Sequence, residues 1–148
     1  MLIHSVNPEG TLLLSGAIDS WDEVRKHHVS MVVDLEGGVD AGLPEEPNGL
    51  LYLYFPIADE ELPEEEALRA VGRLVAELVR ARRVVLVHCL LGLNRSNLLV
   101  AVALSYLGMT GSDAVRRLRE IQPAALYNET FYSYALGLPA RSLAPQDV

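Results

Sequence analysis

Apolar positions fall along this chain in two rhythms. Met31-Val32-Val33-Asp34-Leu35 and Val84-Val85-Leu86-Val87 are short, almost unbroken apolar runs of the kind found in buried strands, and Leu50 to Phe55 reads as another strand. Leu2 to Val6 and Thr11 to Ser15 lie on either side of the turn residues Asn7-Pro8-Glu9-Gly10, which predicts a hairpin. The second rhythm is helical. Leu68, Val71, Leu74-Val75 and Leu78-Val79 recur at three-to-four spacing, predicting a helix to about Arg82, with Pro63 at its first position and acids in its first turn. Leu98 to Leu107 is apolar nearly all round, a buried helix that Gly108 closes. Asp19 or Ser20 caps a short helix to about His27, with Trp21 and Val24 turned inward. Thr110 with Asp113 resembles a capping box for a helix to about Ile121, and a last helix runs from about Asn128 to Leu136, ended by Gly137 and Pro139.

Gly16 to Ser20, the Gly- and Pro-rich stretch Glu36 to Gly49, and Pro56 to Pro63 read as loops. A starting hairpin followed by strands alternating with helices implies an α/β fold. The expected architecture is a mixed, largely parallel sheet of about five strands with helices on both faces. Residues 1–148 form a single domain in this reading, with 141–148 a loose tail. Phe131 and Tyr134 are assigned to the core, and Arg116, Arg117 and Arg119 to the solvated outer face of their helix. Sites on such sheets lie at the carboxyl ends of strands. Cys89 and Asp59 both follow strands and so belong on one rim.

Composition narrows the class. Half the residues are apolar and 22% are charged, which fits a globular chain rather than a disordered one. No apolar run approaches the length of a membrane span, and the first residues show no secretory signal. One cysteine permits no internal disulfide and points to a reducing, cytoplasmic setting. A net charge of −8 argues against general binding of nucleic acid or an anionic membrane. Any anion site is therefore a local positive feature on a negative protein.

Such a feature lies between the strand Val84–Val87 and the apolar helix. His88 and Cys89 end the strand, Leu90, Leu91, Gly92, Leu93 and Asn94 make a loop, and Arg95 and Ser96 follow. Backbone N–H groups of a strand-to-helix loop, with those of the helix's first turn, converge on one spot and hold anions there. Cysteines placed at helix N-termini beside cations ionise readily. Arg95 brings a planar fork suited to two phosphate oxygens, and Gly92 lets the backbone approach closely. A thiolate at the bottom of an anion cradle beside a guanidinium can attack phosphorus.

The stretch HCLLGLNRS resembles the signature of the cysteine-dependent phosphatases (His, Cys, five residues, Arg, then Ser or Thr) and looks most like their compact dual-specificity branch. The segment from Gly16 through Leu35 is loosely similar to the amino-terminal part of the same branch. The resemblance implies a protein-tyrosine-phosphatase-like fold and a phosphocysteine intermediate formed on Cys89. It implies that Arg95 and the loop residues Leu90 to Asn94 bind the phosphate. Ser96 would steady the thiolate as a leaving group, or simply cap the helix. Expelling an alkoxide or phenoxide needs a proton donor. Asp59, in Phe55-Pro56-Ile57-Ala58-Asp59, matches the family's general-acid loop, with Glu60 and Glu61 as the nearest substitutes. His88 is expected to brace the loop through its ring nitrogens. Asn128, in Asn128-Glu129-Thr130-Phe131, matches a late family asparagine that also braces the loop. Asp34, on a buried strand, is given a structural hydrogen bond.

The chain departs from the family pattern twice. Asn94 stands where Gly or Ser is frequent, a feature associated with RNA 5′-triphosphatases of the same superfamily, and Asn97 replaces a frequent Gly. The expected activity is hydrolysis of phosphate monoesters, on phosphotyrosine and on phosphoserine, phosphothreonine or small phosphate esters, without cofactor or metal. The alternative is a phosphoanhydride hydrolase acting on RNA 5′-triphosphate or polyphosphate. A reading of a different class is a phosphate-binding module without turnover.

Overall fold

The computed structural model describes residues 1–143. Its elements run β1 (Ile3–Ser5), β2 (Leu12–Ser15), α1 (Trp21–Lys26), β3 (Met31–Asp34), β4 (Leu51–Tyr54), α2 (Glu65–Arg80), β5 (Val85–His88), α3 (Arg95–Tyr106), α4 (Gly111–Ile121) and α5 (Glu129–Leu136). The strands form one sheet in the order β1-β2-β5-β3-β4. The β1–β2 hairpin is antiparallel and every other pair is parallel, as the sequence predicts.

Strand residues alternate between the faces, and each face is apolar. Leu12, Leu14, Met31, Val33, Val85 and Val87 pack into a large core with α2, α3, α4 and α5. Leu13, Val32 and Leu86 point the other way, against Val24 and Trp21 of α1. Burial on both faces explains why β3 and β5 read as continuous apolar runs. At the carboxyl end of the sheet the register aligns Ser15, His88, Asp34 and Tyr54 in a polar row. The candidate site is built on that row.

Three boundaries differ from the sequence reading. The second helix begins at Glu65 with Glu64 as its cap, so Pro63 stands outside the first turn. The third begins at Arg95, three residues before the apolar run. Its first turn, Arg95-Ser96-Asn97, is polar, which hides it from a hydropathy pattern. The tail expected to be loose from Arg141 is docked at its start. The Arg141 N–H donates to Ser105 O at 2.8 Å, its guanidinium lies over the Tyr106 ring, and Leu143 packs on the core. The remainder of that expected tail, 144–148, lies outside the described residues. Among the described residues no helix is long and apolar enough to cross a membrane.

Candidate active site

The loop from Cys89 to Asn94 joins the end of β5 to the start of α3. Cys89 is buried, and its thiol donates to Ser96 Oγ at 3.2 Å, while the Gly92 N–H donates to Sγ at 3.3 Å. Ser96 is therefore inside α3 and beside the thiol, not a helix cap. Once the thiol ionises, the hydroxyl becomes the donor in the same contact.

The loop carbonyls are held away from the sulfur. Leu90 O accepts from the Ala17 N–H at 2.9 Å, and Leu93 O from the Leu126 N–H at 2.8 Å. The side-chain amide of Asn97, fully buried in the first turn of α3, donates to Gly92 O at 2.8 Å and Leu93 O at 3.0 Å. With three of the loop's carbonyls engaged by donors outside it, the loop N–H groups other than that of Gly92, together with the first turn of α3, can serve an anion. Asn97 stands out in the sequence only as a departure from the family's Gly, and its role is visible only in the fold. Its signal was an amide at the head of an otherwise apolar helix.

Gly92 sits at φ +72°, in the left-handed region, and an added Cβ would lie 2.8 Å from both Gly16 N and Ser15 C. The phosphate-type loop thus presses backbone to backbone on the end of β2. Gly92→Ala should cost more than the ~1–2 kcal/mol of the backbone conformation alone, because the contacted atoms are main chain. The expected result is a clear drop in melting temperature together with loss of aryl phosphate hydrolysis. An alanine variant as stable as the parent would show that the loop yields at this point.

Arg95, the first residue of α3, donates from Nη1 to Ile57 O at 3.3 Å, and its buried Nε has no hydrogen-bond partner. Ile57 belongs to the loop that carries Asp59. That loop is pinned further by Phe55 N–H to Asp34 O, by Ile57 N–H to Leu35 O, and by the Asn128 side-chain amide to Asp59 O at 2.9 Å. Asp59 Oδ1 is buried and without a hydrogen-bond partner, whereas Glu60 and Glu61 are exposed. Asn128 also receives the loop after β5, since its N–H donates to Asn94 Oδ1 at 3.0 Å, and its own Oδ1 caps α5. It bridges the two loops. Asn94 is buried and spends its carbonyl on this internal bridge.

His88 departs from expectation. Its Nε2 pairs with Asp40 Oδ2 at 2.7 Å, and its buried Nδ1 has no hydrogen-bond partner. The ring therefore anchors the Glu36–Gly49 stretch, not the Cys89 loop. The Tyr52 hydroxyl donates to Asp34, and the Asp40 N–H donates to that hydroxyl. Burial, then the bond to Asp34, holds the Tyr52 phenol well above its ordinary pKa, so it stays a donor. Asp34 makes the structural bonds assigned to it, accepting also from the Glu36 N–H. Asp34, Asp40 and His88 come within 4.8 Å of one another, a grouping with metal-ligand chemistry that their spacing in sequence does not suggest. In this structure His88 Nε2 pairs with Asp40, and both carboxylates bond the Tyr52 hydroxyl. Arg119 also differs. It donates to Ala125 O and Leu126 O and stacks on Tyr132 at 4.2 Å, so it braces the segment that touches Leu93 instead of facing solvent.

Comparison with known proteins adds to this geometry. The family model described as Tc-R-P, polymorphic toxin system, DSP-PTPase phosphatase, matches residues 12–111, a span that includes Asp59 and Cys89 to Ser96. No curated protein matches the chain by sequence. Among solved structures, human DUSP28 is 21% identical with a TM-score of 0.75, over 90% of this chain and 92% of that one. Tk-PTP in its active form is 27% identical with a TM-score of 0.68, over 88% and 90%. The human tyrosine phosphatase-like serine/threonine/tyrosine-interacting protein is 19% identical with a TM-score of 0.70, over 90% and 92%. The likeness to the first and third is one of fold.

Proposed function

Because the chain belongs to the DSP-PTPase phosphatase family and is a cysteine-dependent phosphatase, we propose that it hydrolyses phosphate monoesters through a phosphocysteine at Cys89. The thiolate attacks phosphorus as the ester oxygen leaves, and Asp59 gives that oxygen its proton. Arg95 turns from Ile57 O to the equatorial oxygens, joined by the N–H groups of the loop and of α3. Water then attacks the phosphocysteine, giving up a proton to the Asp59 carboxylate, and the departing thiolate accepts a hydrogen bond from Ser96. Asn97, Asn94 and Asn128 position the parts. No step calls for a cofactor or metal. The observation that carries this reading is the outward fixing of the loop carbonyls around a buried thiol, which leaves donors for an anion and little else.

We take phosphotyrosine as the first substrate class, with phosphoserine and phosphothreonine after it. The RNA 5′-triphosphatase reading rested on Asn94, whose carbonyl is accounted for by the Asn128 N–H. The exposed Glu60 and Glu61 beside Asp59 would also repel a polyphosphate. A panel of phosphotyrosine and phosphoserine peptides, p-nitrophenyl phosphate and an RNA 5′-triphosphate tests this. The expected order puts the aryl and tyrosyl esters first and the triphosphate last. A preference for the triphosphate would overturn the substrate class, and absence of turnover on every compound would favour the binding module.

A further inference from the structure

A cavity of about 550 Å³ lies at the other end of α3 from Arg95, far from the Cys89 loop. Three arginines line it: Arg80, Arg82 and Arg117. None has a carboxylate within ion-pairing distance among the described residues, although Arg25, Arg69, Arg73 and Arg116 are all paired. In a chain with 20 acidic and 12 basic residues, three guanidiniums in one lining, without a carboxylate partner among the described residues, are a local excess of positive charge. The acidic residue of the lining, Glu9, offsets one of them. Val79, Leu104, Leu107 and Met109 supply an apolar floor.

Arg82 is held there against its backbone preference. Its φ is +63°. It sits just past the end of α2, where the Arg82 N–H reaches Val79 O at 3.0 Å and the Arg83 N–H reaches Leu78 O at 2.9 Å. This is the helix-ending turn in which glycine is the least strained choice. The left-handed conformation of Arg82 is thus the one that the end of α2 itself requires, and it leaves the Arg82 side chain in the lining of the cavity.

We propose that this cavity is a second ligand site, taking a small organic anion that has a doubly charged phosphate-like head on an apolar body. The guanidiniums fit the head by forked hydrogen bonds, the floor fits the body, and the volume is in the usual range of small-molecule pockets, roughly 300–1,000 Å³. The site does not depend on the catalytic reading.

The test titrates the full-length chain with 1-naphthylmethylphosphonate, which cannot be hydrolysed, while amide resonances are followed. Amides of Leu104, Leu107 and Met109 should shift along a saturating curve, separately from any shift at Gly92 and Ser96. Methylphosphonate and 1-naphthalenemethanol, head and body alone, should each bind roughly tenfold more weakly at those amides. Arg82→Gly should raise the melting temperature while lowering affinity roughly tenfold, and Arg117→Gln should lower affinity alone. Arg73→Gln, whose parent arginine already pairs with Glu77, should change neither. Three results would overturn the proposal: no saturating shift at those amides, equal affinity for the alcohol, or an Arg82→Gly variant that gains stability and binds as before.

Discussion

Cys89→Ser should abolish turnover, by roughly 10⁶-fold on the scale seen when a hydrolase loses its covalent nucleophile. The physical difference is ionisation. Serine's hydroxyl stays protonated where a thiol can become the attacking anion. Everything else at the position persists: the side chain is nearly the same shape, the Gly92 N–H still has an acceptor, and Ser96 still has a hydroxyl partner. The carbonyl restraints from Ala17, Asn97 and Leu126 do not touch the sulfur, so the donor-lined loop should survive. The variant is therefore expected to melt at the parent's temperature and to retain affinity for a phosphotyrosine peptide in a calorimetric titration. Near-parental hydrolysis of an aryl phosphate by this variant would end the covalent mechanism. Loss of activity accompanied by loss of phosphate binding would instead mean that the sulfur organises the loop.

How much of this was legible before the structure depends on whether a residue's partner is local. The hairpin, the buried strands β3 and β5 and the Cys89–Ser96 stretch were readable because their signals are periodic or closely spaced. Partners distant in sequence were not. Asn97 holds carbonyls in the loop before it, but only the folded loop shows which way they face. Arg119 looks like any arginine on an amphipathic helix until the turn after α4 brings two carbonyls and Tyr132 over it. Chain order alone suggests that His88 braces the loop that follows it. Its actual partner, Asp40, lies 48 residues away and arrives only when β3, β4 and β5 align. The polar first turn of α3 escaped for the converse reason, since residues committed to a site break the apolar rhythm that marks a helix. Site residues and hydropathy patterns compete for the same positions, and here the site prevailed.

Asp59→Asn should separate proton donation from the merely acidic character of its loop. A general acid matters most when the leaving oxygen is basic. For a tyrosyl or alkyl phosphate the substitution should lower the rate by roughly 10²–10⁴-fold, and much less for an aryl ester whose phenol departs as a stable anion. The structure supplies the reason to expect a chemical and not a folding effect. The loop is held through main-chain atoms, by Leu35, Arg95 and Asn128 acting on Ile57 and Asp59 backbone groups, and none of these contacts uses the carboxyl. Oδ1 is buried with no hydrogen-bond partner, so asparagine should fit without breaking a bond there. Glu60→Gln and Glu61→Gln, changed at exposed positions, should show no such dependence on the leaving group. The measurement is kcat/KM for all three variants across aryl phosphates of rising phenol basicity. A uniform loss for Asp59→Asn along that series would make Asp59 a positioning residue for its loop. A loss that steepens with leaving-group basicity in Glu60→Gln or Glu61→Gln would transfer the proton donor's role to that neighbour.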